Sequence, residues 1–273
     1  MLRPVFHLSD RTGITAELLG RALLGQFSGL QVQRIALPFI ASEAQAHAAV
    51  ARIREEARRS GERPIVFSTM INARLREIVA SVRDTAIFVD FFDAFIDYLA
   101  GELEMAPSGA VGTTHGVSDP ARYVSRINAV HFALDNDDGA TTRHYDRAEL
   151  ILVGVSRTGK TPACLYLGLQ YGIHAANYPF TDDDLETTRL PPRLRDYRDR
   201  LFGLTIDPER LSHIRSERLP GSRYATLQQC RFEISQVEML YRKERIPFLD
   251  TTEMSVEEIA ATIVHQVGLE RRF

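Results

Sequence analysis

Gly154, Val155, Ser156, Arg157, Thr158, Gly159, Lys160 and Thr161 stand in the spacing G-x-x-x-x-G-K-T. Residue types in this order suit a polyphosphate. Gly154 and Gly159 let the backbone curl so that its N–H groups converge on an anion. Lys160 is placed to reach the outer phosphates, and the Thr161 hydroxyl to ligate Mg²⁺. The helix expected from Thr161 to Gln170 would direct the positive end of its dipole at the same point. Pro162 fits its first turn, where a missing N–H costs nothing. The bland alternative is an ordinary strand–turn–helix joint. Arg157, inside the loop, could contact a transferred group or stay solvated.

Phosphoryl transfer also needs a carboxylate, and several are candidates. Asp137 and Asp138 precede Gly139 and could hold Mg²⁺ or accept a proton; such a pair is also common as a solvated Asx turn. Asp10 lies in a second glycine-containing loop, Ser9-Asp10-Arg11-Thr12-Gly13. There a carboxylate would repel phosphate unless Mg²⁺ or a proton intervened, and Asp10 or Thr12 would equally serve as a helix cap. Asp207, before Pro208, reads first as an N-cap and second as a metal ligand. Asp250 could be a strand-end ligand or a turn residue. His115 could contact phosphate or act as a base, although a lone loop histidine usually does neither. Arg215, Arg218, Arg223 and Arg231 could form a lid over phosphate, or simply a solvated face.

Apolar runs of strand length alternate with helical patterns throughout, which gives a parallel α/β architecture. Strands are expected at Val5–Leu8, Val32–Leu37, Pro64–Phe67, Ala86–Val89, Leu150–Val153, His174–Ala176, Gly203–Ile206 and Pro247–Leu249. The helix after the Ser9–Gly13 loop carries Ile14, Leu18 and Ala22 on one face. Helices are also read over Ala41–Ser60 and from Ser255, whose capping box with Glu258 precedes Ile259, Ile263 and Val267. Gly172 is a natural helix stop. The fold class is α/β: an N-terminal parallel α/β domain over 1–104 and a C-terminal P-loop kinase-like α/β domain over 146–273. Strand signals vanish in between, and 105–145 reads as a linker or a set of functional loops.

At 273 residues the chain can build one large domain or two smaller ones. Its formal net charge of −3 argues against a general nucleic-acid binder. Cys164 and Cys230 are too few for a disulfide framework or a zinc site. No apolar run reaches the roughly 20 residues that span a bilayer, and Met1-Leu-Arg-Pro runs directly into a strand. The expectation is a cytoplasmic protein with no membrane and no nucleic-acid partner.

Several blocks in order carry a resemblance: Ser9-Asp10-x-Thr12-Gly13-x-Thr15-Ala16-Glu17, Thr114-His115-Gly116, Asp137-Asp138-Gly139, the Gly154–Pro162 loop, Ala176-Asn177-Tyr178-Pro179, Phe202–Arg210 and Ser255–Ala260. Over nearly its whole length the chain resembles the pyruvate, phosphate dikinase regulatory family, among them the bacterial phosphoenolpyruvate synthase regulatory proteins. The resemblance implies two opposed activities. An ADP-dependent kinase would phosphorylate a threonine of the target enzyme and leave AMP. A phosphorylase would use inorganic phosphate to remove that group as pyrophosphate. It implies ADP and inorganic phosphate as small-molecule requirements, beside the Mg²⁺ expected at Thr161, and phosphoenolpyruvate synthase as partner, with a homodimer left open. It tilts Asp137 and Asp138 towards catalysis beside Lys160; Asp10 joins them because its strand–loop–helix joint carries polar groups beyond what a cap requires. Pyruvate, phosphate dikinase as target, a small-molecule kinase and a nucleotide-binding sensor are the alternatives.

Overall fold

The computed structural model describes residues 2–110, 120–139, 142–187 and 189–270. The chain divides into two units, Met1–Ser118 and Asp119–Phe273. Each unit is built on its own four-stranded sheet, and every strand pair in both sheets is parallel.

The first unit runs β1 (Arg3–Leu8), α1 (Ile14–Leu24), β2 (Val32–Leu37), α2 (Glu43–Ser60), β3 (Ile65–Ser68), α3 (Ala73–Ala80), β4 (Ile87–Asp90) and α4 (Phe91–Leu103). Its strand order is β2-β1-β3-β4. Successive side chains of β1 point to opposite faces. Phe6 and Leu8 enter the larger core with Val50, Ile53 and Val79, whereas Val5 joins Phe67 and Phe91 in the smaller one. The Ser42 side chain caps α2 by accepting from Gln45 N–H, and Gly61 ends the helix at φ 68°.

The α1 face that carries Ile14, Leu18 and Ala22 is not the one that packs. Ile14 and Leu18 are exposed, while Ala16 and Gly20 face the sheet. The cause is steric. A Cβ on Gly20 would stand 2.6 Å from the Phe67 ring, so only the small-residue side of α1 can approach so closely.

The second unit runs α5 (Pro120–Asp135), β5 (Leu150–Gly154), α6 (Lys160–Tyr166), β6 (Ala175–Pro179), α7 (Asp182–Leu185), β7 (Leu201–Thr205), α8 (Pro208–Arg218), α9 (Leu227–Glu244), β8 (Phe248–Asp250) and α10 (Val256–Val267). Its strand order is β6-β5-β7-β8. The chain leaves β5 to one neighbour and returns to the other, so the β5–α6 joint lies where open α/β sheets bind ligands. All eight strands expected from the sequence are present, Val32–Leu37 with the bounds expected and the other seven with shifted ends. In α10, Ile259 and Ile263 are buried as expected, but Val267 is 38% exposed.

Two sequence readings need correction here. The segment read as a linker or loops contains α5, a 16-residue helix. The helix expected to end at Gln170 stays α-helical only to Tyr166 and continues as a π-helical turn over Leu167–Tyr171, closed by Gly172 at φ 71°. The two corrections are linked. A Cβ on Gly168 would stand 3.0 Å from the Ala129 backbone, so α5 seats itself directly on that turn. Arg126 Nε then donates to the Leu169 carbonyl at 2.6 Å.

The sheets share one strand order, so the β1–α1 and β5–α6 joints are equivalent positions. The first carries Arg11-Thr12-Gly13-Ile14-Thr15 and the second Arg157-Thr158-Gly159-Lys160-Thr161. Gly13 and Gly159 both begin their helices in the left-handed region, at φ 79° and 88°. Ile14 stands where the second joint has Lys160, so the first joint lacks that cation.

Candidate functional site

β5 is buried along its length and delivers the loop Gly154–Thr161 to the edge of the sheet. Gly154 is required by packing: a Cβ there would stand 2.6 Å from the Leu204 carbonyl oxygen. Gly159 at φ 88° turns the chain into α6. Arg157 adopts φ 78°, which is costly for a residue with a side chain. Strain of this kind persists only where its surroundings enforce it. Here Thr158 Oγ1 donates to Val155 O at 3.0 Å, and Thr251 Oγ1 donates to Thr158 O at 3.2 Å.

Lys160 lies on the floor, 4% exposed, with Nζ donating to Val155 O at 2.7 Å. Burial pushes its ammonium down from 10.5 to about 8; Asp138 and Asp137 act in the opposite direction. Among the described residues this buried cation is held by a single carbonyl, a partner that it can exchange for a phosphate.

α5 brings up the acidic residues. Asn136 is fully buried, and its side chain donates to Phe132 O at 2.8 Å. Asp137 Oδ1 then accepts from Thr161 Oγ1 at 2.7 Å and from the Asn177 side chain. Asn177 Oδ1 in turn accepts from Asp138 N–H at 3.1 Å, and Asn177 O from Gly139 N–H at 3.2 Å and Tyr145 Oη at 2.8 Å. Asp138, at φ 52°, is exposed. Among the described residues its carboxylate makes no hydrogen bond. The adjacent aspartates therefore differ: Asp137 is bound to the loop, while the Asp138 carboxylate is free at the cleft. A solvated Asx turn does not describe this docked segment.

Behind the loop stands a support that the sequence did not reveal. Arg215, on α8, has no exposed surface. Its guanidinium donates to both Glu233 oxygens at 3.0 and 2.7 Å, to Ser156 O at 3.2 Å and to Tyr224 O at 3.0 Å. It also stacks 4.0 Å from the Tyr224 ring centre, and Tyr224 Oη donates to Ser156 Oγ at 2.9 Å. Arg215 is thus a buried strut and not part of a lid. Arg231 pairs with Glu209 at 3.0 Å on the surface, whereas Arg218 lines the cleft.

That cleft has a volume of about 270 Å³ and is lined by Asp138, Ser156, Arg157, Lys160, Thr161 and Arg218, with Gly159, Pro162 and Ile214 completing the wall. Thr161 and Asp137 offer adjacent hard oxygens of the kind Mg²⁺ takes alongside substrate phosphates. Among the described residues no group of three or more His, Cys, Asp or Glu side chains gathers into a metal cage. A cation here would draw its remaining ligands from phosphate and water.

The other candidates have different surroundings. Asp10 belongs to the first unit and does not cap α1: its Oδ2 accepts from Ile71 N–H at 2.8 Å and Asn72 N–H at 3.4 Å. The helix starts at Gly13 without a side-chain cap because Asp10 instead ties the β1–α1 joint to the start of α3. Asp207 is the N-cap of α8, accepting from Glu209 and Arg210 N–H, both at 2.9 Å. Asp250 accepts from Thr252 N–H at 2.9 Å, a local turn. His115 lies outside the described residues. Cys164 and Cys230 are free and buried. No helix among the described residues is long and apolar enough to cross a membrane.

Asn177, Tyr224 and Glu233 were missed as site residues, and Arg215 was read as part of a lid or a solvated face rather than as a strut. Asn177 alone left a signal, an amide inside the buried run Ala175–Tyr178. Tyr224, in a short turn, and Glu233, on a polar helix, look like surface residues.

Comparison with known proteins completes the picture. The family model for kinase/pyrophosphorylase matches residues 5–264. A protein of Marinobacter nauticus named "Putative phosphoenolpyruvate synthase regulatory protein" is 52% identical over 271 residues, covering 99% of each chain. A protein of the same name from Stutzerimonas stutzeri is 51% identical over 272 residues, covering 100% of this chain and 99% of its own. One from Halorhodospira halophila is 52% identical over 273 residues, covering 99% and 98%.

Proposed function

The chain belongs to the kinase/pyrophosphorylase family, and from that premise we propose that it is a bifunctional regulator of phosphoenolpyruvate synthase. It phosphorylates a threonine of that enzyme with ADP as donor, and it removes the group with inorganic phosphate to give pyrophosphate. The relatives' names support the target. The observation that carries the chemistry is the gathering of Lys160, Thr161 and Asp138 on one cleft, with Asp137 bonded to Thr161 behind it.

In the kinase direction the threonine oxygen bonds to the β-phosphorus of ADP. The bond from that phosphorus to the bridging oxygen breaks, and AMP leaves. Asp138, whose carboxylate is free, accepts the threonine proton. Lys160 leaves Val155 O and stabilises charge on the phosphates, while the loop N–H groups hold their position. Thr161 and Asp137 would hold Mg²⁺, which supplies charge neutralisation on the phosphates when bound.

In the opposite direction a phosphate oxygen attacks the phosphothreonine phosphorus, the bond to the threonine oxygen breaks, and pyrophosphate leaves. Asp138 returns a proton to the departing oxygen. Both directions need phosphates beside a protein hydroxyl, so one cleft serves both.

The test is incubation with purified phosphoenolpyruvate synthase and ADP labelled on its β-phosphate, with pyruvate, phosphate dikinase in parallel. The expected result is label on a threonine of the synthase, released as pyrophosphate when phosphate is added, with ADP competing against phosphate. Label passing to a small molecule would make the protein a small-molecule kinase. ADP binding without transfer would make it a sensor.

A further inference from the structure

The geometry points to Arg218 as a phosphate-binding residue that grips the second phosphate of a diphosphate in the cleft, an inference that rests on the phosphoryl-transfer reading above. Arg218 is the last residue of α8 and lines the same cleft as Lys160, Thr161 and Asp138. It is exposed, and among the described residues it has no hydrogen-bond or ion-pair partner. Arg231, on the neighbouring helix, is by contrast paired with Glu209.

Its backbone is held in place. Arg215, three residues earlier, is locked between Glu233, Tyr224 and the loop carbonyl of Ser156. Ile214 on the same turn also lines the cleft, and Leu219 N–H closes the turn on Arg215 O at 2.9 Å. The strut that supports the loop therefore fixes the starting point of the Arg218 side chain. Only its outer arm is left to move.

Charge and depth give Arg218 its selectivity. Lys160 sits on the floor at 4% exposure, where a single phosphate cradled by the loop would meet it. Arg157 and Arg218 are exposed at the rim. Asp138 offsets Lys160, so the positive surplus of the lining comes from these two arginines. A monophosphate on the floor is served by Lys160 and backbone N–H groups. A diphosphate places its second phosphate towards the rim, where a planar guanidinium can bind two of its oxygens at once. Arg218 would thereby bind the β-phosphate end of ADP and the pyrophosphate product more than free phosphate.

The test needs no target protein. Calorimetric titration of the wild type, Arg218→Ala and Arg218→Lys with inorganic pyrophosphate and, separately, inorganic phosphate reads the selectivity directly. The expected result is pyrophosphate binding weakened about 10-fold in Arg218→Ala, the loss of roughly one charge-assisted contact, with phosphate binding nearly unchanged and Arg218→Lys in between. Equal weakening of both anions, or unaltered pyrophosphate binding, overturns the inference. So does a lowered Tm that accounts for the loss, since Arg218 would then only be countering the α8 dipole. A wild-type protein that binds both anions, with this selectivity, yet never phosphorylates the synthase would sink the proposed function and leave Arg218 in its role. A wild type that binds neither anion overturns both.

Discussion

Thr161 Oγ1 donates to Asp137 Oδ1 at 2.7 Å, joining the loop after β5 to the turn after α5. Elements distant in sequence thus share one oxygen pair. If that pair holds Mg²⁺, Thr161→Val and Asp137→Asn should each raise the magnesium concentration for half-maximal kinase rate by about 10-fold. The double variant should be little worse than either single one, since both act on one site. A magnesium titration of all three decides this, and an unaltered midpoint counts against the metal role.

Asp138→Asn keeps the size and the backbone bond to Asn177 but removes the free carboxylate. The kinase rate should fall about 10²–10⁴-fold, as for loss of a general base. ADP affinity should be nearly unchanged. A loss confined to KM for ADP would give Asp138 a binding role instead.

Lys160→Met should abolish ADP binding without lowering stability. The folded-state pKa of about 8 lies below 10.5, so folding at pH 7 carries the cost of burying an ammonium, on the order of 3 kcal/mol. Loss of the bond to Val155 O offsets about 1 kcal/mol of the relief. The variant should therefore melt a few degrees above the wild type at pH 7. Between pH 8 and 10.5 the unfolded chain retains this proton and the folded chain has lost it, so wild-type stability should rise with pH relative to the variant. A Tm difference that ignores pH would contradict the assignment.

Arg215→Ala leaves the Glu233 carboxylate buried without its cation and removes the donor to Ser156 O. Breaking such a pair costs about 3–5 kcal/mol. Replacing both partners, as Arg215→Met with Glu233→Leu, should cost clearly less than Arg215→Ala, because no charge is stranded. Urea unfolding of the set measures both values. Equal losses would mean that packing rather than charge is what Arg215 supplies.

Asp10→Asn retains an oxygen acceptor for Ile71 and Asn72, whereas Asp10→Ala does not. The alanine variant should lose about 1–2 kcal/mol, and the asparagine variant should keep both its stability and its activities. If Asp10→Asn instead loses activity at unchanged Tm, the carboxylate itself has a chemical role.

The loop was legible in the sequence because its requirements are local. Gly154 and Gly159 mark backbone that a side chain would obstruct or strain, and Lys160 and Thr161 follow at fixed spacing. Strands β1, β3, β5, β6 and β7 were legible for a similar reason, since burial on both faces forces continuous apolar runs. Ser255 with Glu258 and Asp207 with Pro208 likewise announced their helix caps. What surrounds the loop was not legible. Asp137 and Asp138 became distinct residues only because α5 seats on Gly168 and Asn177 grips the turn that follows. Arg215 read as part of a lid or a solvated face until α8 and α9 folded it together with Glu233 behind Ser156. The apolar face expected on α1 lost to the side where Gly20 permits a closer approach to Phe67. A motif within one turn is constrained by bonded geometry and therefore shows in the residue order. A contact between distant segments is settled by which surfaces fit together, and the tertiary structure alone decides that.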